Sequence, residues 1–370
     1  MSEKKGEFAH ALLAWYERNK RDLPWRRRQH DPYAVWVSEI MLQQTTVAAV
    51  IPFYDRWMAR FPTVEVLAHA PLDDVLKHWA GLGYYARARN LHRGAQEVMA
   101  KYGGRVPSDP AQLLALPGIG RYTAGAILSI AFNQEAPILD ANVIRVLSRV
   151  YAVTGDPKTS AATQAELWRL AEEAIPGGRA GDFNQAMMEL GALVCTAAAP
   201  RCSSCPVESL CAAKALGEPT AYPQFQGVKT WLDVEDVSIV IRDGQRRVLL
   251  AQRPPEASLW GGLWELPRAT RQEGETLPQC AARAACEAVG LAVGPVTPFG
   301  SIKHVVANRR ITLHGFTADA PPDAAPVAVG CARFVWEPPD SLKHYALATP
   351  QVRLLEKLAQ EAVQGRLDFG

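Results

Sequence analysis

Apolar positions between residues 8 and 217 recur at steps of three and four, the period of helices that bury one face. Leu12, Leu13, Trp15 and Tyr16 mark a helix over Phe8–Asn19. Pro32 opens a longer amphipathic segment, Tyr33–Ala59, with a break expected near Pro52. Helical patterns follow at Leu72–Ala80, Ala86–Tyr102, Thr123–Phe132, Val143–Tyr151, Thr163–Ile175 and Asp182–Val194, joined by short connections rich in Gly and Pro. Gly217–Asp233 has no period and reads as a linker. Beyond it the texture turns to short β-rich runs at Val237–Ile241, Arg247–Gln252, Ile311–Thr317 and Ala332–Val335, with one helical stretch, Pro278–Val289, among them. The pattern predicts a mostly α domain over 1–216, a linker over 217–233 and an α+β domain over 234–370.

One stretch of the helical half carries candidate chemistry. Asp109 and Pro110 suit the N-cap and first position of a short helix. Pro117-Gly118-Ile119-Gly120 stops that helix, and both glycines are free to take positive φ. The next helix then starts with uncovered N–H groups, a site for an anion such as a phosphate; an ordinary turn between packed helices fits the same four residues. Asp140 follows the apolar run Pro137-Ile138-Leu139 and precedes a helix, as an N-cap, a buried functional acid, or both. Glu39 lies among Val35, Trp36, Ile40, Leu42 and Gln43, where burial would raise its pKa, unless it reaches solvent from the edge of that face. A carboxylic acid held protonated beside one that stays ionised suits cleavage of a glycosidic bond.

Charge adds little. The formal net charge of the 370 residues is +2. Local clusters at Lys20, Arg21 and Arg26–Arg28, and at Arg87, Arg89, His92 and Arg93, suit either a solvated face or a nucleic-acid contact. No run is long enough to span a membrane and Met1–Leu13 lacks the apolar core of a signal peptide, so a cytoplasmic protein is expected, nucleoid-associated in a bacterium. Cysteine usage is more telling. Cys280, Cys286 and Cys331 are scattered and read as free buried thiols. Cys195, Cys202, Cys205 and Cys211 fall within one short stretch, with only one tight pair. Four thiolates at this density point to a metal, either an iron–sulfur cluster or zinc.

Six motifs in order, RDLPWR (Arg21–Arg26), WVSEIMLQQT (Trp36–Thr45), GLGYYARARNLH (Gly81–His92), LPGIGRYTA (Leu116–Ala124), LDANVIRVLSR (Leu139–Arg149) and the cysteine cluster, are similar to adenine DNA glycosylases of the MutY type, within the helix-hairpin-helix glycosylase superfamily. The resemblance covers nearly the whole chain. It implies two helical lobes with the site in a cleft between them and a [4Fe–4S] cluster on the four cysteines. It implies monofunctional removal of adenine mispaired with 8-oxoguanine or guanine, in duplex DNA. Glu39 would be the general acid on N7 and Asp140 the carboxylate that stabilises the oxocarbenium centre, with Tyr122 and Asn142 orienting the transition state. Arg21, Trp25, Leu42 and Gln185 would line the adenine pocket, Gln44 and Tyr84 would wedge into the base stack, and Gly118 and Gly120 would hold phosphate. Endonuclease III enzymes, which share the hairpin and cluster, carry a lysine nucleophile where this chain has Tyr122, so little strand cleavage is expected. Ala141 stands where many relatives have Gly. A monomer is expected, with a sliding clamp or mismatch-repair proteins as candidate partners.

Gly261–Leu291 resembles a Nudix fold, but Arg283-Ala284-Ala285-Cys286-Glu287-Ala288 keeps one carboxylate of the Mg²⁺-holding motif, too few for a hard divalent cation. In the family this domain reads 8-oxoguanine through Phe-Ser-His or Phe-Thr-His after His-Val. Here His304-Val305 is followed by Val306-Ala307-Asn308, in which only Asn308 offers a polar side chain. A weaker preference for the oxidised partner follows. Two other readings remain: a glycosylase acting on a mismatched or damaged pyrimidine, and a non-catalytic DNA-binding paralogue.

Overall fold

The computed structural model describes residues 2–227, 230–257 and 259–367. It divides into two compact units, one of residues 1–69 with 90–227 and one of residues 70–89 with 228–370.

The first unit is helical, with α1 (Ser2–Asn19), α2 (Pro32–Leu42), α3 (Val47–Arg60), α4 (Val64–His69) and, after α5 (Leu72–Trp79) of the second unit, most of α6 (Ala86–Tyr102). Then come α7 (Pro110–Leu114), α8 (Arg121–Phe132), α9 (Ala141–Tyr151), α10 (Ala161–Ala174), α11 (Ala180–Leu193) and α12 (Ala212–Ala215). Helix α2 is its axis. Asp31 caps it, accepting from Tyr33 N at 3.0 Å and Ala34 N at 3.2 Å, and Pro32 supplies the preset φ of a first turn. Tyr33 through Met41 are all buried, as expected of a helix apolar on every side. The break in Tyr33–Ala59 falls at residues 43–46, where Gln44 takes φ 56°, and Pro52 lies inside α3. A proline inside a helix removes one backbone bond, but buried Val50, Tyr54, Trp57 and Met58 hold α3 along its apolar face.

In the second unit the described residues form a seven-stranded mixed sheet. Its strands are β1 (Leu232–Arg242), β2 (Val248–Gln252), β3 (Trp264–Glu265), β4 (Arg268–Thr270), β5 (Thr297–Val306), β6 (Arg309–Asp319) and β7 (Arg333–Glu337). β1 runs parallel to β6 from Leu232↔Arg309 to Arg242↔Asp319. Alternation along β1 gives two cores. Val237, Ile239 and Ile241 pack with Cys280, Ala281, Ala284 and Ala285 of α13 (Leu277–Val289), and Val240 packs with Leu313, Leu347 and Leu354 on the other face. Leu354 belongs to α14 (Thr349–Leu367), a second helix beyond the one expected. β5 also lay outside the expected runs; Pro298 and Gly300 interrupt its pattern, and its pairing with β6 shifts register between them. Cys280 is buried as expected, whereas Cys286 lies exposed on the outer side of α13, where it faces no core.

Candidate active site

Two helix starts and one helix end build the site in the first unit. Glu39 sits in the last turn of α2, 4% exposed. Tyr122 is the second residue of α8 and donates its hydroxyl to Glu39 Oε2 at 2.5 Å. Asp140 caps α9, with Oδ1 accepting from Val143 N at 2.7 Å and Oδ2 from Asn142 Nδ2 at 2.8 Å. It is both an N-cap and a buried acid. These groups line one cavity of about 660 Å³ together with Arg21, Trp25, Leu42, Gln44 and Gln185.

Burial dominates the electrostatics. It pushes Glu39 up to about 7, with the Asp140 charge adding and the Tyr122 hydroxyl opposing. Burial also raises Asp140, but Val143 N–H, Asn142 and the charge of Arg145 pull the other way. The better-solvated carboxylate is therefore Asp140, and it ionises first. Burial raises the Tyr122 phenol well above its ordinary range, so it stays a donor.

Three features escaped the sequence reading. Glu189 of α11, 1% exposed, accepts from Arg21 N at 2.8 Å and Nε at 2.9 Å, and pairs with Arg21 Nη2 at 2.7 Å and Arg26 Nη2 at 3.0 Å. Those guanidiniums hold its carboxyl down at about 2, although burial alone would raise it. Arg26 Nε also donates to Gln185 Oε1 at 3.2 Å, which turns the Gln185 amide. Arg27 and Arg28 pair with Asp22 and Asp31, so the four arginines of the first basic cluster are committed to carboxylates of their own chain. Finally, Arg145 links the Asp140 turn to the cysteine loop, donating to Asn142 Oδ1 at 2.9 Å, Gly191 O at 2.7 Å and Cys195 O at 2.7 Å. A Cβ on Gly191 would meet Asn142 Cβ at 2.6 Å, so only glycine allows α9 and α11 this approach. These partners are separated by long stretches of chain, and no local pattern announces them.

The hairpin differs in detail from expectation. Gly118 has φ 77° and its position is closed by Asn90, whereas Gly120 is the extended N-cap of α8 with φ −96°. Only Gly118 needs the left-handed region; Gly120 leaves the helix start without a capping side chain.

Cys195, Cys202, Cys205 and Cys211 line one small pocket walled by Val146, Val150, Leu190, Val194 and Val207. Buried Arg149 donates to Cys195 Sγ at 3.3 Å, Thr196 O at 2.7 Å, Ala197 O at 2.8 Å and Tyr222 O at 3.0 Å. Burial, with the neighbouring sulfurs, pushes the Cys205 thiol up to about 11. A cationic group taken up by these sulfurs would reverse that shift. Among the described residues, no three His, Cys, Asp or Glu side chains are placed to hold a single metal ion.

In the second unit, Tyr84 is 49% exposed with φ 48°, and Asn308 sits in the tight turn between β5 and β6, where Ala307 takes φ 54°. No helix among the described residues is long and apolar enough to cross a membrane.

Residues 37–173 match the profile of the HhH-GPD superfamily base excision DNA repair proteins, and residues 237–357 match that of the NUDIX domain. The adenine DNA glycosylase of Homo sapiens is 40% identical over 82% of this chain and 65% of its own length. That of Rattus norvegicus is 38% identical over 89% of this chain and 74% of its own. The chain belongs to the adenine DNA glycosylase family. The chain also resembles the solved structure of a thermostable thymine-DNA glycosylase, at 33% identity and TM-score 0.53, over 58% of this chain and 98% of that one.

Proposed function

We propose that the protein is a monofunctional adenine DNA N-glycosylase acting on adenine mispaired with 8-oxoguanine or guanine in duplex DNA. The observation that carries this is a buried Glu39 with its pKa near neutrality, facing one cavity with Asp140. An adenine stacked in a duplex hides its glycosidic bond, so the nucleotide must turn out into the cavity. Gln44 and Tyr84, both in left-handed backbone on turns, suit the wedges that fill the gap. Trp25, Leu42, Gln185 and Arg21 suit the adenine pocket, with the Arg21 guanidinium fixed as a wall by Glu189. Glu39, protonated, gives its proton to adenine N7. The electrons of the C1′–N9 bond pass to the base, which leaves neutral. Ionised Asp140 stabilises the positive charge at C1′, held in place by Val143 N–H and Asn142, until water adds there and passes its proton to the Glu39 carboxylate, which regains the acid form. Tyr122 holds Glu39 and offers no amine for a Schiff base, so strand cleavage is not expected. The Gly118–Gly120 turn with the α8 N-terminus suits a DNA phosphate.

Cys195, Cys202, Cys205 and Cys211 would hold a [4Fe–4S] cluster; four soft thiolate donors around one apolar pocket fit such a group. When bound, it would tie the loop together without taking part in the hydrolysis. Ala307 offers only backbone to an 8-oxoguanine and Asn308 is the polar side chain left beside it, so preference over guanine should be weaker than in a Phe-Ser-His enzyme.

The likeness to a thymine-DNA glycosylase favours one second reading, excision of a mispaired pyrimidine. Single-turnover assays on adenine opposite 8-oxoguanine, guanine, thymine and cytosine, and on thymine opposite guanine, decide between them. Adenine release with breaks appearing only after alkali is the expected result. Thymine release without adenine release would overturn the proposal, as would a Glu39→Gln protein that still excises adenine.

A further inference from the structure

Residues 70–89 pack with the sheet unit, although the chain places them among the helices. The contact has a polar centre. Asp73 of α5 accepts from Gln252 Nε2 at 2.8 Å and pairs with Arg333 Nη2 at 2.5 Å. Arg333 Nε in turn donates to Gln252 Oε1 at 2.6 Å, and its guanidinium lies 5.0 Å from the Trp264 ring. An exposed ion pair alone contributes little. Here the pair closes on Gln252, 8% exposed, whose amide also donates to Gly262 O at 3.0 Å and has no freedom left to turn. Two flanking contacts complete the attachment. Arg89 Nη1 donates to Gly261 O at 2.6 Å, and Leu76 lies so close to Gly262 that a Cβ there would stand 3.3 Å from its methyl.

What this attachment carries is the loop holding Tyr84. Trp79, the last residue of α5, donates to Gly83 O at 3.0 Å, and Arg87 donates to Leu82 O at 3.1 Å and Gly83 O at 3.2 Å. The Arg87 guanidinium stands 5.3 Å from the Trp79 ring and 5.5 Å from the Tyr84 ring. Tyr84 is thus fixed through its loop to α5, and α5 through Asp73 to β2 and β7.

We infer that Asp73, Gln252 and Arg333 are positioning residues that set the Tyr84 wedge from the sheet unit, so that the hairpin reading the opposite base and the wedge move as one body. This rests on the wedge reading of Tyr84. Nothing in the charge clusters of the sequence signals it, since the second basic cluster would pass for a phosphate contact.

The test is a double-mutant cycle on the full-length holoenzyme. Single-turnover excision opposite 8-oxoguanine is measured for Tyr84→Ala, Arg333→Asp, Arg333→Lys, Asp73→Arg, and Arg333→Asp combined with Tyr84→Ala. Base extrusion is followed by 2-aminopurine fluorescence beside the mispair. Arg333→Asp should slow excision about tenfold and damp the fluorescence rise, less than the roughly hundredfold cost of misplacing a reacting group, because it acts on the wedge and not on the carboxylates. Arg333→Lys, which keeps a cation facing Asp73, should lose much less of both. Adding Arg333→Asp to Tyr84→Ala should cost nothing further. Additive losses, no loss in a folded Arg333→Asp protein, or an Arg333→Lys protein as slow as Arg333→Asp would overturn the inference while leaving the wedge intact. A wild-type rate for Tyr84→Ala would instead remove the wedge reading itself.

Discussion

Replacing Glu39 by Gln should abolish excision and, at alkaline pH, stabilise the protein. The amide keeps the shape of the side chain and its carbonyl still accepts the Tyr122 hydroxyl. What it removes is a titration. In the fold the carboxyl titrates at about 7, against 4.5 for an exposed Glu, because burial penalises its charge. Between those values the native state holds a proton that the unfolded chain has released. The raised group therefore contributes its full stability below pH 4.5 and loses it as pH rises through 7. At about 1.4 kcal/mol per pKa unit the penalty at alkaline pH is about 3 kcal/mol. Asp140 titrates in both proteins and largely cancels. Urea unfolding of the two proteins at about pH 5 and about pH 8.5 should give a stability difference that grows by about 2.5 kcal/mol in favour of Gln, since part of the penalty is already present at about pH 5. Parallel pH dependence would refute the reasoning, because it would mean that Glu39 is not a buried acid. The rate follows the same proton: excision by the unmodified protein should fall about tenfold per pH unit above 7.

Other outcomes follow from the packing. Gly191→Ala places a methyl 2.6 Å from Asn142 Cβ and displaces the turn that holds Asp140; we expect excision to drop about a hundredfold while the fold persists by circular dichroism. Gly118→Ala must adopt φ 77° against Asn90, and binding to a non-cleavable duplex, read by anisotropy, should weaken about tenfold. Cys205→Ser should lower the iron and sulfide content of the purified protein and its melting temperature together; full iron loading would argue against these four ligands.

The local chemistry was legible in the chain; its partners were not. Asp109 and Asp140 cap their helices as the spacing of Pro, Asn and apolar residues predicts, since a cap depends only on the next three residues. Glu39 could be singled out because its helical neighbours are apolar. Glu189 could not, because the arginines that hold it lie more than 150 residues away and looked like an exposed basic run. Gly120 illustrates a second limit: glycine permits positive φ without requiring it, and the fold used only Gly118 that way. Helix α14 follows a β-rich region, and the helical spacing of Leu354, Leu355 and Leu358 is too short a pattern to mark it against those strands. The allegiance of residues 70–89 to the sheet unit rests on tertiary pairing through Gln252, which no periodicity encodes.

Arg149 has a consequence for how the molecule comes apart. Its buried guanidinium draws its bonds from the Cys195–Ala197 turn and from Tyr222, while its backbone is the last full turn of α9, whose first residues hold Asp140. Releasing that turn alone would strand an unpaired cation in the interior, at a cost of about 3–5 kcal/mol. The loop therefore does not fray as an independent surface segment; it opens with α9 or not at all. Hydrogen exchange at the α9 amides should then track exchange in the cysteine loop, and a protease should cut both regions in a single step rather than trimming the loop first.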